Sequence, residues 1–285
     1  YAIRMPELPE VETVRRGLAP VMEGRTILSL LQNRPNLRFP FPDRFAERVS
    51  GARIERLGRR AKFLTADLST GEVLVMHLGM TGRFTVGGGA TADFHHATGG
   101  DTRHDHVVFH MEDDHTVTYN DPRRFGFMEL WPAATFESYP RLIAMGPEPL
   151  SNGFSAAYLD TALKGKATPI KAALLDQSII AGLGNIYVCE ALYRARISPK
   201  RKAASIPGQR AARLAPAINQ VIAEAIDAGG SSISDFASAR GELGYFQHRF
   251  DVYDREHKAC KACGANVKRI VQSGRSSFFC STCQR

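Results

Sequence analysis

Between Thr26 and about Trp131 the apolar residues fall in short runs, several alternating with polar ones. Thr26–Leu31, Ala52–Leu57, Lys62–Leu68, Glu72–Leu78, Asp105–Met111, Thr116–Tyr119 and Phe125–Leu130 each lie between turn residues, a pattern that predicts β-strands. Strands this closely spaced, with no helices between them, predict an antiparallel sandwich or barrel. Gly87–Asp105 is too polar and glycine-rich for a strand and is expected to be a mobile loop. Beyond Trp131 the period lengthens. Ala156–Leu163, Ile170–Leu175, Asn185–Ala195 and Arg210–Ala228 read as helices, and in the last of them Leu214, Ile218, Val221, Ile222, Ala225 and Ile226 share one face. Gly229-Gly230 is suited to end that helix. Near the start, Pro6–Leu18 is a further amphipathic helix. Pro9 sits in its first turn, Glu10 and Glu12 at its positive end, Arg15 and Arg16 at its negative end, and Val11, Val14 and Leu18 on its buried face.

The change of period implies an α+β chain. The expected parts are residues 1–134 with the leading helix and strands, a hinge over 135–150, helices over 151–256 and a small module over 257–285. A length of 285 residues agrees with more than one domain. With 44% hydrophobic and 23% charged residues, the composition excludes a disordered or fibrous chain. The apolar runs fall far short of the roughly 18 residues a membrane span needs, and the first residues lack the apolar core of a signal peptide. A cytoplasmic protein with no membrane partner is expected.

The net charge is +8, which favours a polyanionic partner, nucleic acid first. From Lys258 onward six basic residues meet no Asp or Glu. The same segment holds Cys260-x2-Cys263 and Cys280-x2-Cys283, sixteen residues apart, a spacing that closes a tetrahedral zinc site. With sulfur at all four corners no position is left for a catalytic water, so one structural Zn2+ is expected, its task being to fold a β-hairpin. Cys189 stands alone in an apolar stretch and reads as a buried thiol. The histidines of the Gly87–Asp105 loop, with His106 and His110, lack the tight spacing of a metal site.

Chemistry enters at Met5-Pro6-Glu7. If Pro6 were the first residue it would present a secondary amine, able to attack carbon and form an iminium that serves as an electron sink. Met5–Leu18, MPELPEVETVRRGL, resembles the N-terminus of the bacterial formamidopyrimidine-DNA glycosylases. The resemblance recurs in order along the chain: RRAKFL at Arg59–Leu64, HLGMTG at His77–Gly82, DPRRFG at Asp121–Gly126, MGPEPL at Met145–Leu150, GLGNIY at Gly182–Tyr187, GYF at Gly244–Phe246, and the closing CSTCQ.

The resemblance implies an N-terminal β-sandwich, a helical helix–two-turn–helix domain and a four-cysteine zinc finger. It also implies removal of 8-oxoguanine and ring-opened purines from double-stranded DNA, followed by β,δ-elimination at the abasic site, by a monomer associated with the nucleoid. Pro6 would be the nucleophile, Glu7 the general acid/base, Glu10 a supporting acid and Lys62 a cation near the lesion phosphate. Met80, Arg123 and Phe125 would fill the hole left by the flipped nucleotide, a task for which a wedge and a hydrogen-bonding guanidinium are suited. Asn185 and Arg275 would clamp phosphates, with His77 and Lys171 as further contacts, and Ser231–Tyr245 would close over the flipped base.

Residues 1–4 stand against this mechanism, because an internal proline nitrogen is a tertiary amide with no free lone pair. Either the native chain starts at Met5, or the extension is removed, or the chain binds damaged or abasic DNA without cutting it. An endonuclease VIII-like enzyme for oxidised pyrimidines is the other alternative, disfavoured by Leu8 and the DPRRF segment.

Overall fold

The structure, a computed structural model, describes residues 5–88, 101–231 and 245–285. Tyr1–Arg4, residues 89–100 of the expected loop and nearly all of the expected base-closing stretch lie outside the described residues. The chain divides into two compact units, Tyr1–Ile143 with Gly229–Gly244, and Ala144–Ala228 with Tyr245–Arg285.

The first unit is a β-sandwich with a leading helix, α1 (Leu8–Met22). Its first sheet has the order β1-β6-β7-β5, from β1 (Ile27–Gln32), β5 (Arg83–Gly88), β6 (Asp105–Met111) and β7 (His115–Asn120). Its second sheet has the order β2-β3-β4-β8, from β2 (Ile54–Arg60), β3 (Phe63–Leu68), β4 (Glu72–His77) and β8 (Phe127–Pro132). Every pairing is antiparallel. The inner strands β3 and β4 are buried along most of their length on both faces, so they read as near-continuous apolar runs. Helix α1 packs on β2 and β3 through Val11, Val14 and Leu18, all nearly fully buried. Each such side chain contributes about 1.5–3 kcal/mol on burial. A short helix, α2 (Phe45–Val49), packs on β1.

Two features of this unit depart from expectation. The helix runs on to Met22, carrying Pro20 in its last turn. Arg15 and Arg16 are therefore mid-helix, and both pair with Glu12, at 2.8 and 3.0 Å, instead of capping a C-terminus. Strand β5 occupies the start of what reads as loop: Gly87 and Gly88 pair with Thr116 and His115. Backbone pairing with β7 supplies the order that their missing side chains cannot.

The second unit contains α3 (Ala156–Leu163), α4 (Ile170–Leu175), α5 (Asn185–Arg194) and α6 (Gln209–Asp227), at the expected places. Helix α6 packs on α3 and α5, with Leu214, Ile218, Val221, Ile222 and Ala225 buried. The tail forms an antiparallel hairpin of β9 (Lys268–Gln272) and β10 (Arg275–Phe279), and β10 lies against α5. Among the described residues no helix is long and apolar enough to cross a membrane.

Candidate active site

The chemistry of the first unit begins at the N-terminal turn of α1. Pro6 is buried and Glu7 is the N-cap. Glu7 accepts the Glu10 backbone N–H, and Glu10 in return accepts the Glu7 N–H at 2.9 Å, a reciprocal capping box. The other Glu10 oxygen accepts the N–H and the hydroxyl of Ser231, both at 2.9 Å. Glu10 is fully buried, and Gly230 lets the backbone pass beside it, where a Cβ would stand 3.2 Å from Oε1. Two residues on, Glu12 gathers Arg15, Arg16 and Arg59. Burial pushes the Glu12 carboxyl up, but the hydrogen bonds from Arg15 and Arg16 outweigh it and hold the group low. The turn carrying Pro6 and Glu7 is thus fixed through buried carboxylate hydrogen bonds.

Lys62 sits at the tip of the β2–β3 hairpin, after Ala61, which is fully buried with φ of 53°. A left-handed alanine is uncommon and is held there by its surroundings; its carbonyl accepts from Arg59 at 3.0 Å. At the end of β4, His77 stacks on Phe127 with ring centroids 5.3 Å apart. The His77 Nδ1 accepts the Gly79 N–H at 3.0 Å, which leaves the proton on Nε2. Burial first, then the nearby cations Lys62, Arg38 and Arg141, pull the His77 pKa down to about 4. The ring is neutral at physiological pH, with Nε2–H as its donor.

Met80 and the pair Arg123 and Phe125 lie on two connections of the same unit, one between β4 and β5 and the other between β7 and β8. Phe125 leaves 40% of its surface exposed, uncommon for a large aromatic next to an apolar strand. The Arg123 guanidinium lies 4.6 Å over its ring. Arg124 between them is left-handed, with φ of 54°.

In the second unit Asn185 is the first residue of α5, and Arg275 is the exposed first residue of β10. They are brought together through Ser276, whose carbonyl accepts from Asn185 Nδ2 at 3.1 Å and from Lys171 Nζ at 2.7 Å. Lys171 is only 1% exposed, and its ammonium also donates to Ser277 Oγ at 2.7 Å. It is a buried tie between α4 and the hairpin, beside Arg275. Asn185 is also within 3.4 Å of the Tyr253 hydroxyl. Residues 251–253 are held in turn by Glu190, fully buried, whose carboxylate accepts the N–H groups of Asp251, Val252 and Tyr253 at 2.8–3.0 Å. The sequence offers one signal for Glu190, a lone acid in the apolar run Ile186–Leu192.

The sulfur atoms of Cys260, Cys263, Cys280 and Cys283 all lie within 4.8 Å of one another. Two of the separations are 3.9 Å, Cys260 to Cys283, and 3.5 Å, Cys263 to Cys280. Four thiolates about 2.3 Å from a central ion stand about 3.8 Å apart, so the donors fit one structural Zn2+. Gln284 ties the knuckle to the helices, accepting the Cys280 N–H at 2.8 Å and donating to the Ile197 carbonyl at 2.9 Å.

Three family models match in succession: the formamidopyrimidine-DNA glycosylase N-terminal domain at residues 5–128, the H2TH domain of the same glycosylase at 145–237, and a zinc finger found in FPG and IleRS at 258–285. The formamidopyrimidine-DNA glycosylase of Ruegeria pomeroyi is 60% identical over 283 residues, covering 99% of this chain and 100% of that protein. The chain belongs to the formamidopyrimidine-DNA glycosylase family. The enzyme of that name from Cereibacter sphaeroides is 58% identical over the same coverage. Among solved structures, the MutM (Fpg) protein of Thermus thermophilus superposes with a TM-score of 0.85 at 42% identity, covering 98% of each chain. The Lactococcus lactis glycosylase in complex with DNA containing an abasic site gives 0.87 at 32% identity, covering 98% of this chain and 100% of that one. A mutant of the same Lactococcus protein was crystallised with DNA containing Fapy-dG. This glycosylase therefore removes oxidised purines in base excision repair and has AP lyase activity, and the pyrimidine-specific alternative falls away.

Proposed function

We propose that the reaction is carried by Pro6, with Glu7, Glu10 and Lys62 around it. As the first residue, Pro6 has a secondary-amine lone pair that attacks C1′ of the damaged nucleoside. The glycosidic bond breaks, the base leaves with its electron pair, and the proton shed by the Pro6 nitrogen neutralises the departing base. Glu7 protonates the sugar ring oxygen, which opens to leave an iminium between C1′ and the Pro6 nitrogen. The iminium then acidifies the sugar protons whose loss drives successive elimination of the two flanking phosphates. Lys62 is the fixed cation that offsets negative charge on a phosphate oxygen. His77, neutral with a free Nε2–H, is a hydrogen-bond donor to phosphate and adds no competing positive charge beside Lys62.

The observation that carries this reading is the capping box. It holds Glu7 directly after Pro6 through Glu10, itself anchored on Ser231. Met80, Arg123 and Phe125 fill the space left by the flipped nucleotide. Asn185 and Arg275 bind phosphate, and Lys171 acts on that contact through the hairpin instead of touching DNA. The bacterial relatives support a place on nucleoid DNA in the cytoplasm.

Borohydride trapping tests the nucleophile. A chain beginning at Pro6 is incubated with 8-oxoguanine duplex and borohydride beside the chain that carries Tyr1–Arg4, and the covalent adduct is weighed. Trapping by the Pro6-first chain alone is expected. An adduct on an intact chain that retains residues 1–4 would assign another amine, and no adduct on either, under conditions where DNA is bound, would overturn Pro6 as the nucleophile.

A further inference from the structure

The segments Leu78–Gly82 and Asp121–Gly126 meet at one buried carboxylate. Asp121 is fully buried. Its Oδ1 accepts the Thr81 hydroxyl, while Oδ2 accepts the Gly126 N–H at 2.9 Å and the Tyr119 hydroxyl at 3.3 Å. Its backbone carbonyl accepts the Arg124 N–H at 3.2 Å and lies 2.9 Å from His106 Nε2. Thr81 also works in both directions, since its Oγ1 accepts the Arg123 N–H at 3.3 Å. A continuous chain of hydrogen bonds therefore runs from the neighbour of Met80, through Asp121, to both ends of the segment carrying Arg123 and Phe125. Burial and the adjacent carboxylate keep the Tyr119 phenol protonated and donating.

The backbones are packed as closely as the bonds imply. A Cβ on Gly79 would stand 2.3 Å from the Phe125 carbonyl carbon. On Gly126 it would stand 1.8 Å from the Tyr119 hydroxyl oxygen and 2.6 Å from the His77 carbonyl oxygen, and on Gly82 it would stand 2.3 Å from the same Tyr119 oxygen. None of these three positions has room for a side chain, so the two segments cannot be separated by local adjustment. None of Asp121, Thr81 and Tyr119 is needed to touch DNA for this arrangement to hold.

We infer that Asp121 and Thr81 are positioning residues that lock the two segments into one rigid probe, so that Met80, Arg123 and Phe125 enter the duplex together. Filling the hole and reading the base opposite are then one event, and discrimination at Arg123 depends on a hydroxyl beside Met80. This rests on the roles proposed above for Met80, Arg123 and Phe125. A purely structural carboxylate would lower stability when disturbed and leave discrimination between opposite bases unchanged.

The test uses the full chain beginning at Pro6 and single-turnover excision of 8-oxoguanine opposite cytosine and opposite adenine. Thr81→Val keeps the side-chain shape and removes both hydroxyl bonds, whereas Thr81→Ser keeps them. Thr81→Val is expected to reduce the cytosine-over-adenine preference at least about fivefold, with Thr81→Ser restoring it. Tyr119→Phe, which removes a different bond to the same carboxylate, is expected to shift the preference in the same direction. An unchanged preference in both Thr81→Val and Tyr119→Phe, with Arg123→Ala abolishing it, overturns the coupling and leaves the probing role intact. If Arg123→Ala and Met80→Ala both leave excision and preference unchanged, the probing role itself fails and the coupling with it.

Discussion

His77 shows how one ring can be set by its surroundings. Stacked on Phe127 and flanked by Lys62, Arg38 and Arg141, it takes up a proton only near pH 4, against about 6.5 in the unfolded chain. The unfolded state therefore binds more protons between those values. The associated stability is complete above pH 6.5 and is lost as the pH falls toward 4. His77→Asn keeps an acceptor for the Gly79 N–H and has no titration in this range. Denaturation measured at pH 7.5 and pH 5 should show wild type losing more stability than His77→Asn over that interval. Equal losses would mean that the ring is not held neutral by its environment. A sequence cannot display this, because the four residues responsible come from separate strands and connections. Glu10 was legible as an acid at the positive end of a helix, and Glu7 through the family resemblance. The partner Ser231 was not, since 221 positions separate it from Glu10.

At the scale of elements, the tail hairpin is fastened at one end by Lys171 and Asn185, both on the Ser276 carbonyl. Arg275, next in the chain, is exposed and available to a phosphate. The two kinds of residue should separate in salt titrations of DNA binding. Arg275→Ala is expected to weaken binding and to reduce the slope of log K against log salt by about 1, the loss of one phosphate contact. Lys171→Met is expected to weaken binding while leaving the slope at its wild-type value, because the ammonium it removes is spent inside the protein. A reduced slope in Lys171→Met would restore it to the DNA surface. The strands whose residues alternate or run apolar were visible in the sequence, as were the long amphipathic helices. Strand β5 was not, since its last two residues are glycines whose order comes from pairing with β7. The end of α1 was hidden by Pro20, which has no N–H for the helix ladder and reads as a stop, although the helix continues to Met22.

Across the whole molecule, the composition and the four cysteines gave the broad class, while the ordered motifs supplied a chemistry that periodicity alone leaves as a well-formed helix and several core side chains. Met80 and Phe125 would pass for core residues on pattern alone, and the exposure of Phe125 is what the fold adds. The zinc module is small, and outside Cys260, Val267 and Phe278–Cys280 few of its residues are buried, so its order depends on the metal. Metal analysis should find one zinc per chain. Chelation is expected to unfold the hairpin and abolish tight DNA binding, while the β-sandwich keeps its far-ultraviolet signature. Full affinity after verified metal removal would exclude the metal from the fold of the tail.

The Asp121 junction also separates two things that evolution often has to trade against each other. The parts fixed by packing, three glycines, a tyrosine and a carboxylate, are buried and joined by the half-buried Thr81, whereas the tips at Met80 and Phe125 lie on the rim of the same junction and share none of these hydrogen bonds. Such a chassis accepts new tips without being rebuilt. Exchanging a rim side chain can therefore change which partner base is favoured while the junction stays folded, whereas a change in the frame alters that preference and the packing together.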